Sequence, residues 1–153
     1  MFPLPHMLIG AAVGQTAGSP GLGLALGLAS HYLLDAIPHD DRREVGHNPH
    51  PAPLLSGRNL RAAGELGVGA LLIGALLLRC PGGHMVAVAA AVLGALLPDL
   101  IDFPLMAWRR VQVVHPQALH ARVGPRHALL GNLTQLVTAA VGLAWLLFAL
   151  SCF

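Results

Sequence analysis

Three long stretches of this chain carry no Asp, Glu, Lys or Arg: Met1 to Ser30, Pro81 to Pro98, and His127 to Phe153. Each is mostly apolar, and roughly 20 such residues wound as a helix cross a hydrocarbon layer about 30 Å thick. A soluble chain of 153 residues has too much surface for its volume to hide three blocks of this kind. Charged residues make up 10% of the chain and hydrophobic ones 55%, against about 25% charged in an ordinary soluble domain. The expected fold is all-α: a polytopic transmembrane helical bundle. Residues 1–153 are read as one integral membrane domain with the lipid bilayer as its partner.

Gly and Pro punctuate the apolar blocks and predict helices at about 6–18, 22–37, 64–79, 84–108 and 127–149. Ser19-Pro20-Gly21 marks the first turn, and Pro38 biases Ile37 out of the helix before it. Pro98 is a candidate kink in the fourth helix. The first unit is ambiguous. Residues 6–18 span roughly 20 Å, short for a crossing, and fusing them with 22–37 gives about 48 Å, too long. A helical hairpin or a re-entrant half-helix fits better, so the bundle has four or five helices. A faint repeat pairs the segment from Gly10 to Arg43 with that from Gly74 to Arg110, each read as a hairpin ending in an acidic residue and an arginine loop.

Two polar loops remain. The first holds Arg42, Arg43, Arg58 and Arg61, the second Arg109, Arg110, Arg122 and Arg126, while Arg79 alone falls between the helices that separate them. Loops two helices apart share a membrane face, and this bias places both Arg/His-rich loops in the cytoplasm. A net charge of +2 with no basic run interleaved with aromatics argues against nucleic acid as a partner. Met1 to Pro5 lacks the positive region of a cleaved signal. Cys80 and Cys152 form no metal-type pair, and both fall on the far side, where a disulfide is one option.

The polar residues inside the helices carry the chemistry. His31 and Asp35 are four apart and share a helical face, and Asp99 and Asp102, three apart, share another. His39 lies at the same level, as do His115, His120 and His127, and His6 joins them if the first unit is a hairpin. Carboxylates in apolar surroundings are costly unless paired, protonated or bound to a cation. Imidazole with carboxylate suits Zn²⁺, with Mn²⁺ and Fe²⁺ as alternatives. Three protein ligands and one open position would lower the pKa of a bound water towards neutrality. The plainer readings are an intrahelical His31–Asp35 hydrogen bond, and pairing of Asp99 and Asp102 with Arg109 or Arg110. His47 and His50 read as solvated, and His84 as an interfacial residue at a helix start. Trp108 and Trp145 read as interface or lipid-facing aromatics. Gly10, Gly14, Gly27, Gly67, Gly94 and Gly131 are expected to permit close helix approach.

The run Ser30-His31-Tyr32-Leu33-Leu34-Asp35-Ala36-Ile37-Pro38-His39 resembles the S-H-x-x-L-D-x-x-P-H signature of small bacterial integral membrane proteins. These are related to the group known as membrane-bound metal-dependent hydrolases. Pro5 to Gly14 is similar to the opening of those proteins, and Gly94 to Asp99 to their G-x-x-L-P-D element. His115, His120, Gly131, Thr134 and Gln135 resemble a later histidine pair and a G-x-x-T-Q step. The related hydrolases usually carry P-D-x-D where this chain has Pro98-Asp99-Leu100-Ile101-Asp102, and their H-R-x-x-T-H-S step is not recognisable.

Residues and resemblance together give one leading expectation and two others. The first is a cytoplasmic-face metal centre in a bacterial inner membrane. His31, Asp35 and Asp99 would be ligands with one or more of His6, His39 and His120, and Asp102 a catalytic general base. The reaction would be hydrolysis of a lipid or lipid-linked ester. The second is a small ion or proton transporter, and the third a non-catalytic membrane protein with a structural His/Asp cluster. The oligomeric state is not indicated.

Overall fold

The computed structural model describes residues 2–39, 57–79, 84–109 and 128–150. All regular structure among them is helical: α1 (Pro3–Ala17), α2 (Pro20–Asp35), α3 (Gly57–Arg79), α4 (Met85–Arg109) and α5 (Ala128–Ala149). Five helices stand, and the first unit is a hairpin. Gly18 turns it with φ of 64°, a left-handed conformation that costs a residue without Cβ nothing, and its N–H closes on the Gly14 carbonyl. Pro20 then starts α2 at a position where its missing N–H is no loss.

Helices α3, α4 and α5 contain segments long and apolar enough to cross a membrane: Asn59–Arg79, Met85–Asp102 and Leu129–Ala149. Their outward faces carry Leu71, Leu78, Leu129 and Phe148, each more than three-quarters exposed. Such a surface suits acyl chains and not water. The 15 residues of α1 and 16 of α2 are shorter, at roughly 22–24 Å of helix.

α1 is the central element, packing against all four others. Met7, Leu8, Ala11 and Ala12 from α1 form the core with Ile73, Val88, Leu146 and Leu150. On α2 the buried residues are Gly23, Gly27, Ser30, His31, Leu34 and Asp35, one helical stripe whose early positions are glycine and whose last turn is polar. That stripe lies on α4 along Ala87, Ala91, Gly94 and Ala95, with the buried Pro98 and Asp102 further along the same face. Backbones meet here. A Cβ on Gly27 would run into the Ala91 carbonyl, and one on Gly94 into the Leu24 carbonyl.

Two boundaries differ from the sequence expectation. α3 begins at Gly57, seven residues before the expected start at 64, because its polar first turns have partners. Arg61 pairs with Glu65 at 3.0 Å and lies 4.1 Å from the Phe2 ring centroid, while Glu65 accepts the Leu4 N–H at the start of α1. α2 stops at Asp35, two residues short of the expected 37, since Pro38 denies Ile37 the helical conformation. α4 runs through Pro98 as helix. The suggested repeat is not matched in packing, for α3 lies on α1 as its main neighbour, whereas α2 lies on both α1 and α4.

Candidate metal centre

The hairpin brings the beginning of α1 back to the end of α2. His6 sits in the second turn of α1 in line with Gly10 and Gly14, the small residues that let α1 settle against Val88, Ala91 and Ala95 of α4. His6 Nε2 is therefore 3.3 Å from Asp35 Oδ1, and His31 Nε2 is 3.1 Å from Asp35 Oδ2. The chain turn after α2 returns His39, whose Nε2 is 3.9 Å from Asp35 Oδ1. All four side chains are shut off from solvent, none more than 2% exposed. The His6 and His31 rings stack with centroids 4.3 Å apart, and Tyr32 meets the His31 ring edge-on.

The orientation of these rings is dictated by backbone carbonyls. His31 Nδ1 is 2.6 Å from the Ala95 carbonyl, and His39 Nδ1 is 2.7 Å from the Ile37 carbonyl. A carbonyl only accepts, so each Nδ1 carries the hydrogen and donates it. In the neutral ring that leaves the Nε2 lone pair facing the carboxylate. A lone pair and a carboxylate oxygen 3.1 Å apart repel unless a cation lies between them, either a proton or a metal ion. Metal-binding histidines are held in this way by a carbonyl on the other nitrogen.

His6 tips the balance. Both of its ring nitrogens are buried and neither makes a hydrogen bond, Nε2 having only the 3.3 Å contact with Asp35. Polar groups left unmade in this way cost about 1–3 kcal/mol each. Protonating His6 and His31 together would stack two cations in an apolar interior. A metal ion satisfies both rings and the carboxylate at once. Donor atoms from His6, His31 and Asp99 also lie within 4.8 Å of one another, a grouping able to hold one ion.

The chain matches no family model, no curated protein and no solved structure. The site is therefore read from its own chemistry.

The described residues bring together His6, His31, Asp35, His39 and Asp99 of the expected set. Asp102, the expected general base, is 1% exposed on the inner face of α4. His120 lies outside the described residues, as do His47, His50, His115, His127, Arg110, Cys80 and Cys152. His84 is at the opposite end, where its N–H donates to Gln15 Oε1 and its ring lies by Gly18. Two contributors were not anticipated. The Ala95 carbonyl sets the His31 tautomer, and no side-chain pattern announces a backbone atom. The Thr134 hydroxyl lies 2.7 Å from the Pro38 carbonyl, fastening the His39 turn to α5.

Proposed function

We propose that this chain is a membrane-embedded metal-dependent hydrolase acting on a lipid or lipid-linked ester, with a divalent cation held by His6, His31, Asp35 and Asp99. The observation that carries the reading is the pair of facing acceptors, His31 Nε2 and Asp35 Oδ2, beside a buried His6 whose ring nitrogens make no hydrogen bond. A bound cation of this class supplies Lewis acidity and an activated water at neutral pH. Zinc fits the imidazole-rich donor set, with manganese or iron as substitutes. The motif resemblance to small bacterial membrane proteins related to the metal-dependent hydrolase group supports the metal site, although the hydrolases' own P-D-x-D and H-R-x-x-T-H-S steps are not matched here.

The protein's own groups have separate tasks. Ala95 holds His31 in one tautomer, Ile37 does the same for His39, and the buried Asp102 carboxylate is assigned to proton transfer. An apolar groove of about 560 Å³ runs between α1, α2 and α5, walled by Ile9, Val13, Leu26, Leu33, Leu34 and Trp145. It reaches Leu34, the residue before Asp35, so an acyl chain lying there would bring its ester bond towards the cluster.

Transport fits less well. Between the His6 level and Gln15 at the far end, the interior is filled by Ala11, Ala12, Val88 and Ala91, all at 0–1% exposure. That is a dry plug, not a polar path.

The test is metal analysis of detergent-purified protein together with ester-hydrolysis assays on a panel of lipid esters. Bound metal and turnover in the wild type, both lost in His31→Ala and Asp35→Ala, are expected. A wild type that takes up no divalent metal refutes the centre.

A further inference from the structure

Helices α2 and α5 both pack on α1 without packing broadly on one another, and the gap they leave is the apolar groove. Its floor is Ile9, Val13 and Ala17 of α1, and its walls include Ala29 and Leu33 of α2 and Trp145 of α5. Two hydroxyls also line it, and both turn back on their own helices. Thr16 Oγ1 donates to the Ala12 carbonyl at 2.8 Å, and Ser30 Oγ to the Gly27 carbonyl at 2.7 Å. Each hydroxyl has one hydrogen to give, so neither is left to hold a polar ligand. The groove's rim runs without a break into the surface that faces lipid: Leu33 is 70% exposed, and Phe148, one turn past Trp145, is 80% exposed. Towards the cluster the walls converge, because Thr134 of α5 bonds the Pro38 carbonyl just beyond α2 at 2.7 Å. A helix about 10 Å across cannot lie between walls that meet; a single hydrocarbon tail can.

We infer that this groove seats one acyl chain from the leaflet on the cluster side, with its methyl end towards the Gly18 turn and its carbonyl carbon at the level of His6 and Asp35. The substrate class is then an ester recognised by its long-chain acid part and not by its alcohol. This rests on the hydrolase reading for the ester bond, whereas the seat for the chain does not depend on metal. Length supports the match. From His6 to Ala17 along α1 is roughly 16 Å, and one leaflet's tails occupy about half of a core about 30 Å thick. Ala29 is the specificity residue, since its small side chain keeps the α2 wall open. Trp145 stands beside the middle of the seat: Gly142 meets Leu8 and Ile9, and three residues further along α5 is roughly 4.5 Å deeper.

The experiment is quenching of Trp145 fluorescence by brominated fatty acids, in detergent-purified full-length protein stripped of metal with chelator. Trp108→Phe leaves Trp145 as the one tryptophan. The probes are long-chain fatty acids brominated near the carboxyl, at mid-chain or near the methyl end. Quenching should saturate at one probe per chain and be strongest for the mid-chain bromines. Ala29→Phe, with helical content checked by circular dichroism, should displace at least two methylenes of the chain and weaken binding about tenfold. Leu71→Phe, on the lipid-facing side of α3, should leave binding unchanged. The bromine series needs no change in the groove, so a misfolded Ala29→Phe protein does not block the answer. Quenching that rises without saturating, or that persists undiminished in folded Ala29→Phe, overturns the seat. Saturable quenching strongest at either end of the probe overturns the placement of the chain. Metal uptake without saturable quenching ends this inference and leaves the metal centre standing. Saturable quenching in a protein that takes up no metal supports the seat and ends the hydrolase reading.

Discussion

A buried imidazole whose ring nitrogens make no hydrogen bond is an expensive residue to keep, and His6, with only its 3.3 Å contact to Asp35, is one. Its cost makes a prediction that separates a metal role from a packing role. His6→Phe fills similar space without polar atoms. In chelator, this variant is expected to melt at or above the wild-type temperature, since about 1–3 kcal/mol of unmade hydrogen bonding is removed. With metal added, only the wild type should gain stability, by about 2.7 kcal/mol when the free ion exceeds its dissociation constant 100-fold. Thermal unfolding in detergent with and without Zn²⁺ reads both. The pH dependence follows from competition for the same lone pairs. Metal binds imidazole only when the ring is neutral, so protons compete with the ion for the same lone pairs. The stabilisation by metal is lost as acid protonates the ligands. Melting temperatures of loaded and chelated protein should therefore converge as the solution is acidified. Asp35→Asn, which keeps shape and removes charge, is expected to lose bound metal in the same assay with its helicity intact.

At the scale of the helix, the site depends on how closely α2 lies on α4. His31 reaches the Ala95 carbonyl only because Gly27 meets Ala91 with no side chain between them. Gly27→Leu should force the two helices apart, costing several kcal/mol on the pattern of overpacked interiors and abolishing metal binding without touching a ligand. Gly74→Ala is the control. Nothing lies within 4 Å of a Cβ there, so replacing the helical glycine should be neutral or stabilise by about 0.5–1 kcal/mol. Comparing the melting temperature and metal content of the two variants checks both. Much of this was legible in the chain. The charge-free blocks announced helices, and the four-residue spacing of His31 and Asp35 announced a shared face. Of the glycines expected at close helix contacts, Gly10, Gly14, Gly27 and Gly94 make them, whereas Gly67 has nothing within 4 Å of a Cβ placed there. What the sequence withheld was of two kinds. Whether residues 6–18 double back on the next helix depends on one backbone conformation at Gly18, and the place of His6 depends on that. The early start of α3 was hidden because its first turns are polar, and their partners Phe2 and Leu4 are some sixty residues away.

For the whole molecule, chain connectivity gathers the end of α2, the start of α3, the end of α4 and the start of α5 at one pole, the pole of the His/Asp cluster. Arginine placement predicts that this pole faces the cytoplasm. With both native cysteines replaced, a cysteine at His47 should then react with an impermeant maleimide only after the membrane is opened. One at Gly82 should react with the membrane intact. The reverse pattern would invert the topology. Either way, the dry layer of Ala11, Ala12, Val88 and Ala91 beneath the cluster has a logistical result. If the proposed centre turns over substrate, reactant, product, proton and cation would all come and go through the same doorway. Occupancy of that centre should then follow the free-metal level of a single compartment, and depleting metal on the other side should leave the protein indifferent.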